Sequence, residues 1–567
     1  MASIVKKIIR GRPYYYARVC KRVDGKPKIV SQTYLGRADK IVEKLRAGPA
    51  PAQPLEAVVR EFGASAALLS LARRLQLVEH IDRHLPKRGS GPSVGSYLLA
   101  AVLNRCLAPG SKASLARWFD STVLTRLLPL RSKQLTSQRF WDHMHRVPVS
   151  VLPAIERDIV AAMTREFRLD LRQVLFDATN FFTYIDTFNE RSELAQRGHS
   201  KEGRKSLRII GVALLVTTDF RLPLLHRTYP GNRPDPPTFQ SLAADLARRY
   251  RELAAGTETV TLVFDKGNNS RENLDWVERS PFHFIGSLVP TQHPHLLDVS
   301  VDQMRSLEAD GLAGVRAHRT ESKVFGVRRT VLVTWNQRLF DAQCRTLLRE
   351  IEKRRQHLGA LQRQLRRWRD GKIRGGRRPG LAATQKKVDG WLRARHMRDL
   401  FAVQIREVDG LPKVNYRFQR PAWETLQRTL LGKTLLFTDQ AGWSDAELVR
   451  GYRAQHHVES AFRQLKDSDC IAIRPQYHWT DQKIAVHVFC CVLALMLCGL
   501  LQRELSRHGV PGSIPALLDA LRGVREVDVL YPAREADGEP ELRTTLSRMT
   551  DEQRAMYDIL GLENLAI

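Results

Sequence analysis

Short runs of apolar residues alternate with polar segments in the middle of the chain and predict buried strands. The runs are Leu171 to Phe176, Leu207 to Thr217, Leu222 to Tyr229 and Thr259 to Phe264, with a helix-period segment from Phe239 to Leu253. Short apolar, β-branched runs bounded by turn residues are typical of strands in a buried sheet. The pattern therefore predicts an α/β sheet with a mixed or partly antiparallel edge.

The segments before this sheet follow other patterns. Residues 13 to 35 are predicted to form two strands joined at Asp24-Gly25, a dipeptide that favours a tight hairpin turn. Residues 46 to 54 are rich in Pro and Ala, which indicates a linker. From 56 to 168 the apolar spacing is helical. One predicted helix there, after Thr136-Ser137, either enters a DNA groove or is a solvent-exposed helix of a bundle.

The segment from 293 to 432 is mixed. Strands are predicted near Gly314 to Val333, and a basic helical stripe follows from Cys344 to Trp368, with Arg354 at one of its core positions. A Gly- and Arg-rich break after Lys372 precedes a second helix, which predicts a helical hairpin. Its many Arg side chains either bind phosphates or form the solvent-exposed faces of a long hairpin, and the pattern does not decide between the two.

One apolar run, Ile484 to Leu501, is nearly long enough to span a bilayer. It contains His487 and three Cys, and no other segment of the chain has a membrane-like pattern. We therefore expect a helix buried inside a soluble domain and no membrane partner.

The charge of the chain narrows the choice of partner. Lys and Arg number 91 against 60 Asp and Glu, a formal net charge of +31. Such a field suits a polyanion, so nucleic acid is the first partner to consider, although anionic membranes and ribosomal assemblies select similar charge. Seven Cys without paired spacing fit a reducing cytosol, and no secretory signal is expected at the N-terminus. The expected localisation is cytoplasmic.

Two aspartates follow predicted strands. Asp177 comes after Leu171 to Phe176, and Asp265 comes after Thr259 to Phe264. Open α/β sheets commonly bind ligands at the carboxyl ends of their strands, where strand-end side chains converge on one rim. The positions predict that both carboxylates lie at that rim.

A third acidic residue lies in a predicted helix from Tyr452 to Lys466. At 100° per residue, its polar side chains fall within an arc of roughly 80°, which places one Glu on a mostly basic face. The residues of this face are Tyr452, Gln455, Glu459, Arg463 and Lys466. An amphipathic surface helix with an ion pair between Glu459 and Arg463 explains the same spacing.

These segments resemble the DDE transposases of bacterial insertion sequences, in the subgroup with a tyrosine, arginine, glutamate, lysine signature. Tyr452, Gln455, Glu459 and Lys466 have the spacing of that signature, with Gln455 where the family usually has Arg. Phe176-Asp177-Ala-Thr-Asn and Val263-Phe264-Asp265-Lys-Gly-Asn resemble its two aspartate motifs. Gly198 to Arg204 and Tyr229 to Asn232 are also similar to segments of the group. The resemblance runs from about residue 171 to 501.

The resemblance implies a fold and an activity. The fold would be a ribonuclease H-like catalytic core, formed by residues 170–292 and 433–510, with residues 293–432 as a mixed strand and helical-hairpin insertion. A basic β-hairpin (1–45) and a helical, DNA-binding domain (56–168) would precede the core, and a tail (511–567) would follow. Catalytic Asp177, Asp265 and Glu459 would hold two Mg²⁺ or Mn²⁺ ions, because hard cations prefer oxygen ligands. Tyr452, Gln455, Arg463 and Lys466 would contact DNA.

The implied partner is double-stranded DNA, both the terminal inverted repeats of the element and the target. Because two element ends must be paired, we expect a homodimer in the DNA complex. Two other functions stay open: a ribonuclease H-like nuclease without joining activity, and a catalytically inactive DNA-binding regulator.

Overall fold

The computed structural model describes residues 2–23, 26–47, 53–87, 89–186, 188–198, 207–233, 260–373, 375–467, 471–474, 476–533 and 539–567. Three of our predictions lie largely outside these ranges: the turn dipeptide at 24 and 25, the helix from Phe239 to Leu253, and the segment after Gly198 that resembles the family. Most of the predicted linker lies outside them as well.

The described strands have these bounds: β1 (Ala2–Ile9), β2 (Arg12–Val23), β3 (Lys26–Gly36), β4 (Glu56–Glu61), β5 (Gln173–Phe182), β6 (Ile209–Thr217), β7 (Pro223–Pro230), β8 (Val260–Val263), β9 (Phe282–Leu288), β10 (Arg305–Ser306), β11 (Val315–Val324), β12 (Val327–Asn336), β13 (Phe401–Val408), β14 (Leu411–Phe418), β15 (Lys433–Thr438), β16 (Arg525–Tyr531) and β17 (Glu541–Leu546).

The described α-helices are α1 (Ala38–Ala47), α2 (Gly63–Arg74), α3 (Leu77–Arg83), α4 (Val94–Leu107), α5 (Leu115–Asp120), α6 (Leu124–Leu127), α7 (Ser137–His145), α8 (Leu152–Phe167), α9 (Arg271–Glu278), α10 (Gln337–Arg369), α11 (Leu381–Leu392), α12 (Met397–Leu400), α13 (Arg420–Thr429), α14 (Asp445–Arg453), α15 (His456–Lys466), α16 (Asp481–Arg507), α17 (Ile514–Arg522) and α18 (Asp551–Ile559).

The chain divides into two compact units. The first comprises Met1–Arg60, Arg525–Arg548 and Ile567, and it contains the antiparallel sheet β1-β2-β3 and the sheet β17-β16-β4. The predicted hairpin is confirmed as β2 and β3, whose register closes with Val23 opposite Lys26. Strand β1 adds a third strand that the sequence pattern did not indicate. Residues 511–567, expected to be a tail, contain α17, α18, β16 and β17.

The second unit comprises Glu61–Val524 and Met549–Ala566 and contains a nine-stranded mixed sheet. Its strand order is β10-β11-β12-β15-β9-β8-β5-β6-β7. Strands β9, β8 and β5 are mutually parallel, and the other pairs are antiparallel. The predicted α/β sheet with a partly antiparallel edge is therefore confirmed. Strands β10 to β12, from the segment predicted as an insertion, extend this same sheet through β15.

The predicted helical hairpin is present beyond β12. Helix α10 and helix α11 pack on the β13–β14 pair around buried Ile351, Leu358, Leu361 and Leu365. Arg354 occupies the core position predicted for it, and its Nε donates to the backbone oxygen of Trp391 at 2.7 Å. Burying the apolar stem while the guanidinium donates to a carbonyl lets an arginine fill a core position.

The apolar run Ile484 to Leu501 lies in α16, which packs against α2, α4, α7 and β7. The helix is long and apolar enough to cross a membrane by length and composition, with a mean hydropathy of 2.7 over 18 residues, and that whole window is buried inside the structure. Since protein side chains surround it, the helix has the environment that we predicted, the core of a folded unit.

Candidate active site

The two predicted aspartates lie side by side on neighbouring parallel strands. The register pairs Gln173 with Thr261, Val174 with Leu262 and Leu175 with Val263. Two residues further along both strands are Asp177 and Asp265. Because alternate residues of a strand point to the same face and neighbouring strands are about 4.8 Å apart, the register places these carboxylates next to each other on one face.

The position of Asp177 within its strand differs from our prediction. We expected the strand to end at Phe176, but β5 continues to Phe182. The continuation pairs Asp177 with Leu214 and Asn180 with Gly211 of β6, an antiparallel partner distant in sequence. Asp177 is thus a mid-strand residue, paired with β6, whereas Asp265 lies just beyond the end of β8 as predicted.

Helix α15, which carries Glu459, is anchored on the sheet at two points. Lys466 Nζ donates to Thr179 Oγ1 at 3.2 Å, and Thr179 shares the strand face of Asp177. Near the other end of the helix, Arg221 in the β6–β7 turn donates to Ser460 Oγ at 3.1 Å. These contacts hold the helix over β5 and β6, with Glu459 exposed in its first turn.

The Tyr452 to Lys466 segment is two helices rather than the single helix that we predicted. Helix α14 ends at Arg453 and α15 begins at His456. At the junction, the amides of Gln455, His457 and Val458 bond to carbonyls three residues back, which tightens the backbone. The predicted arc of 80° therefore holds only from Glu459 onward, and Tyr452 reaches the site from a separate helix.

Tyr452 links Asp265 to Glu459. Its hydroxyl donates to Ser287 Oγ of β9 at 2.8 Å. The pKa of Tyr452 is raised to about 12, chiefly by burial and also by the nearby carboxylates of Asp265 and Glu459, while the hydrogen bond with Ser287 acts in the opposite direction. Both carboxylates therefore act on one hydroxyl, which puts Glu459 on the same side of the sheet as Asp265.

The pKa of Tyr452 gives a test of this geometry. A tyrosine whose folded pKa exceeds the unfolded value near 10 keeps its proton when the unfolded chain releases it, so folding stability is full below pH 10 and falls as pH rises toward 12. We expect Tyr452→Phe to remove this part of the alkaline destabilisation. The measurement is the urea midpoint of both proteins at pH 8 and pH 11. An equal loss in both proteins would contradict the raised pKa of Tyr452 and the burial that is its main cause.

The remaining predicted DNA contacts differ in exposure. Arg463 is exposed and Lys466 is partly buried. Gln455, the residue that departs from the family signature, is only 7% exposed and precedes the first turn of α15. Its side chain is therefore not presented at the surface, unlike that of Arg463.

The register relates Asp177 to Asp265, and Tyr452 relates Asp265 to Glu459, but the three carboxylates form no compact cluster. Within the described residues, no group of three or more His, Cys, Asp or Glu side chains is arranged to hold a metal ion. Other acids of the region have structural partners. Asp219 pairs with Arg503 at 3.2 Å, and Asp439 accepts from the Phe284 amide at 2.9 Å and bonds to His283 at 3.0 Å.

Two side chains of this region, Thr179 and Ser287, were not predicted from the sequence. Thr179 could have been found from its spacing, since a residue two positions after Asp177 on one strand shares its face. Ser287 had no such signal, because its proximity to Tyr452 depends on the pairing of β9 with β8 and β15.

No family model matches the chain, and no curated protein matches it. Among solved structures, the chain is similar to a piggyBac transposase synaptic complex with hairpin DNA, at 9% identity and a TM-score of 0.36, covering 81% of this chain and 79% of that one. It is also similar to a Mos1 transposase paired-end complex with the left transposon end, at 12% identity and a TM-score of 0.15, covering 34% and 59%. With both TM-scores below 0.5, neither likeness bears on fold or activity.

Proposed function

We propose that this protein is a DNA transposase of the insertion-sequence type, which binds terminal inverted repeats and catalyses metal-dependent DNA cleavage and strand transfer. The observation that carries the proposal is the register of β5 and β8, which sets Asp177 beside Asp265 on one face of the sheet. Tyr452 and α15 add Glu459 to the same side. A net charge of +31 suits the polyanionic substrate.

The sheet order supports a ribonuclease H-like core as part of this proposal. Strands β7-β6-β5-β8-β9 run in the spatial order third, second, first, fourth, fifth, counting from β5 along the chain. The first three are antiparallel, and the last two are parallel to the first. The proposed active-site aspartates lie on the first and after the fourth of these strands.

The donor chemistry fits a divalent cation. Two carboxylates on adjacent parallel strands repel each other unless a cation lies between them, and carboxylate oxygen is the ligand that Mg²⁺ and Mn²⁺ prefer. Asp177 and Asp265 would hold the metal, and Glu459 would complete the site after a closer approach of α15. When bound, two such ions activate the attacking oxygen and stabilise the leaving oxygen of a phosphodiester.

The neighbouring side chains would hold the DNA strand. The Tyr452 hydroxyl donates to Ser287 in this structure, and on DNA binding it would turn to donate to a phosphate oxygen instead. Lys466 and exposed Arg463 supply positive charge on α15 beside Glu459. These groups would position the scissile phosphate against the carboxylates, which lowers the entropic cost of the displacement.

The experiment that tests the function is incubation with candidate element ends and Mg²⁺, followed by strand-resolved product analysis. A transposase gives cleavage and then joining of the freed 3′ end to target DNA. Cleavage without joining of a pre-cleaved end would favour a ribonuclease H-like nuclease, and DNA binding without any nicking would favour a catalytically inactive regulator. We further propose that the active form is a homodimer on paired DNA ends, and that the protein is cytoplasmic.

Lys466 provides a measurement of the DNA contact. We expect Lys466→Gln to lower affinity for element-end DNA and to reduce the slope of log affinity against log salt by about 1, because one phosphate contact releases about one counterion. Binding is measured by anisotropy over a salt series without divalent metal. The control is Arg507→Gln, an exposed cation on α16, which should leave the slope unchanged. Equal slopes for wild type and Lys466→Gln would exclude a phosphate contact at this lysine.

A further inference from the structure

A cavity lies in the helical part of the larger unit, among α4, α7 and the segment before α16. Its volume is about 230 Å³, and its walls include Arg105, Lys112, Phe140, Trp141, His478 and Trp479. Sites for drug-sized ligands occupy roughly 300–1,000 Å³, so this cavity suits a single planar ring system. No carboxylate is among the described residues that line it.

The cations at this cavity are not neutralised by acids. Arg105 is 2% exposed and donates to the backbone oxygens of Ala472 at 2.9 Å and Gly110 at 2.5 Å, and among the described residues its Nε has no partner. Desolvation and, to a smaller extent, the charge of Arg105 together lower the pKa of Lys112 to about 8. A buried guanidinium whose charge acts on a half-buried lysine, with no carboxylate lining the cavity, favours the binding of an anion.

Aromatic rings form the other wall. Trp141 and Trp479 are stacked, with ring centroids 5.2 Å apart and an angle of 25° between the planes. Lys483 Nζ lies 4.7 Å from the Trp141 ring centroid, and the Arg191 guanidinium lies 5.1 Å from that of Trp479. Trp479 is 38% exposed and Tyr477 is 58% exposed, so both rings are accessible to a ligand. Stacked aromatic rings flanked by cations are the pattern that binds nucleobases.

We propose that this cavity binds one unpaired nucleotide of DNA, with its base against the aromatic wall and its phosphate at Lys112 and Arg105. The choice of DNA as the ligand rests on the proposed function. A base pair is too large for the cavity, so the bound nucleotide must be an overhang or a base that has left the duplex. The site lies in the helical region formed by α4, α5 and α7, apart from the sheet that carries Asp177 and Asp265.

The test uses a DNA duplex of arbitrary sequence with one 2-aminopurine nucleotide as a 3′ overhang, and the same duplex with an abasic nucleotide there. Binding is measured with EDTA present, so that no cleavage occurs. We expect quenching of 2-aminopurine fluorescence and about tenfold tighter binding of the probe that carries the base, as for a stacked base. Trp479→Ala should abolish the tenfold preference, and Lys112→Gln should weaken binding of both probes.

Two matched variants control the test. Trp118→Ala removes a partly buried tryptophan of α5, and Lys87→Gln removes an exposed lysine, and both should keep the tenfold preference. Equal affinity of the wild type for the two probes, or a preference that survives Trp479→Ala, would overturn the proposal. Because the assay contains no metal, a tenfold preference in a protein that never cleaves would reject the proposed activity and keep the nucleotide site. Equal affinities for the two probes in a protein that cleaves DNA would reject the nucleotide site and keep the proposed activity.

Discussion

Replacing Asp177 with Asn should lower the rate of DNA cleavage by roughly 10³-fold or more, while DNA binding stays within about threefold of wild type. A metal ligand contributes several kcal/mol to stabilisation of the reacting phosphate, and each 1.36 kcal/mol changes the rate tenfold. Binding depends instead on Lys and Arg contacts with phosphates, which the substitution leaves in place. The side chain of Asn has nearly the same shape, so β5 should keep its pairing with β6 and β8.

The measurement is single-turnover cleavage of an element end with saturating protein and Mg²⁺, together with anisotropy binding. Asp170→Asn is the matched control, because Asp170 is an exposed aspartate just before β5 that pairs with Arg172 at 2.6 Å. It should cleave at the wild-type rate. Cleavage by Asp177→Asn at a normal rate would reject Asp177 as a catalytic residue, and loss of binding in the same variant would indicate a structural role instead.

Local pattern was sufficient for much of the fold. The turn dipeptide at 24 and 25 and the β-branched runs predicted the β2–β3 hairpin, and the apolar stripe predicted α10 with Arg354 in its core. Strands β6, β7 and β8 lie within one or two residues of the predicted runs. Each of these features depends on residues close together in sequence, where periodicity and turn chemistry are visible.

Features that depend on contacts between segments far apart in sequence could not be predicted from local patterns. We expected the strand to end at Phe176, yet β5 continues because Phe181 and Phe182 are buried and β6 pairs with it as far as Phe182. Strand β4 joins β16, more than 450 residues later, and no local signal marks that contact. The junction between α14 and α15 has neither Gly nor Pro at Ala454 and Gln455, so the sequence predicted one helix.

The same distinction between local motifs and long-range contacts applies to the candidate site. Asp177, Asp265 and Glu459 were identified by their motifs, and the register of β5 with β8 places two of them together. The route by which Tyr452 connects Asp265 with Glu459 was not visible, because it combines a helix junction with the pairing of β9. Motif spacing can identify residue types, but the distance between them depends on how the sheet is assembled.

The helix that supports this sheet contains a buried cation whose loss should be severe. Arg503 of α16 is 1% exposed. It donates to the backbone oxygen of Phe167 at 2.9 Å and pairs with Asp219 at 3.2 Å, so it joins α16 to the end of α8 and to the β6–β7 turn. The buried guanidinium is held in place by both charge and hydrogen bonds.

We expect Arg503→Ala to lower the free energy of unfolding by about 3–5 kcal/mol, because it opens a cavity at a buried position, leaves the Phe167 carbonyl without its donor and removes the ion pair with partly exposed Asp219. Urea unfolding followed by circular dichroism measures the change. Arg507→Ala, four residues later and exposed on the same helix, should change stability by no more than about 0.5 kcal/mol. Because Arg221 of the same turn holds Ser460 of α15, loosening this turn should also weaken the position of Glu459. Arg503→Ala should therefore cleave DNA more slowly even at urea concentrations where it is still folded. If its stability is the same as that of the wild type, the contacts of Arg503 do not support the fold.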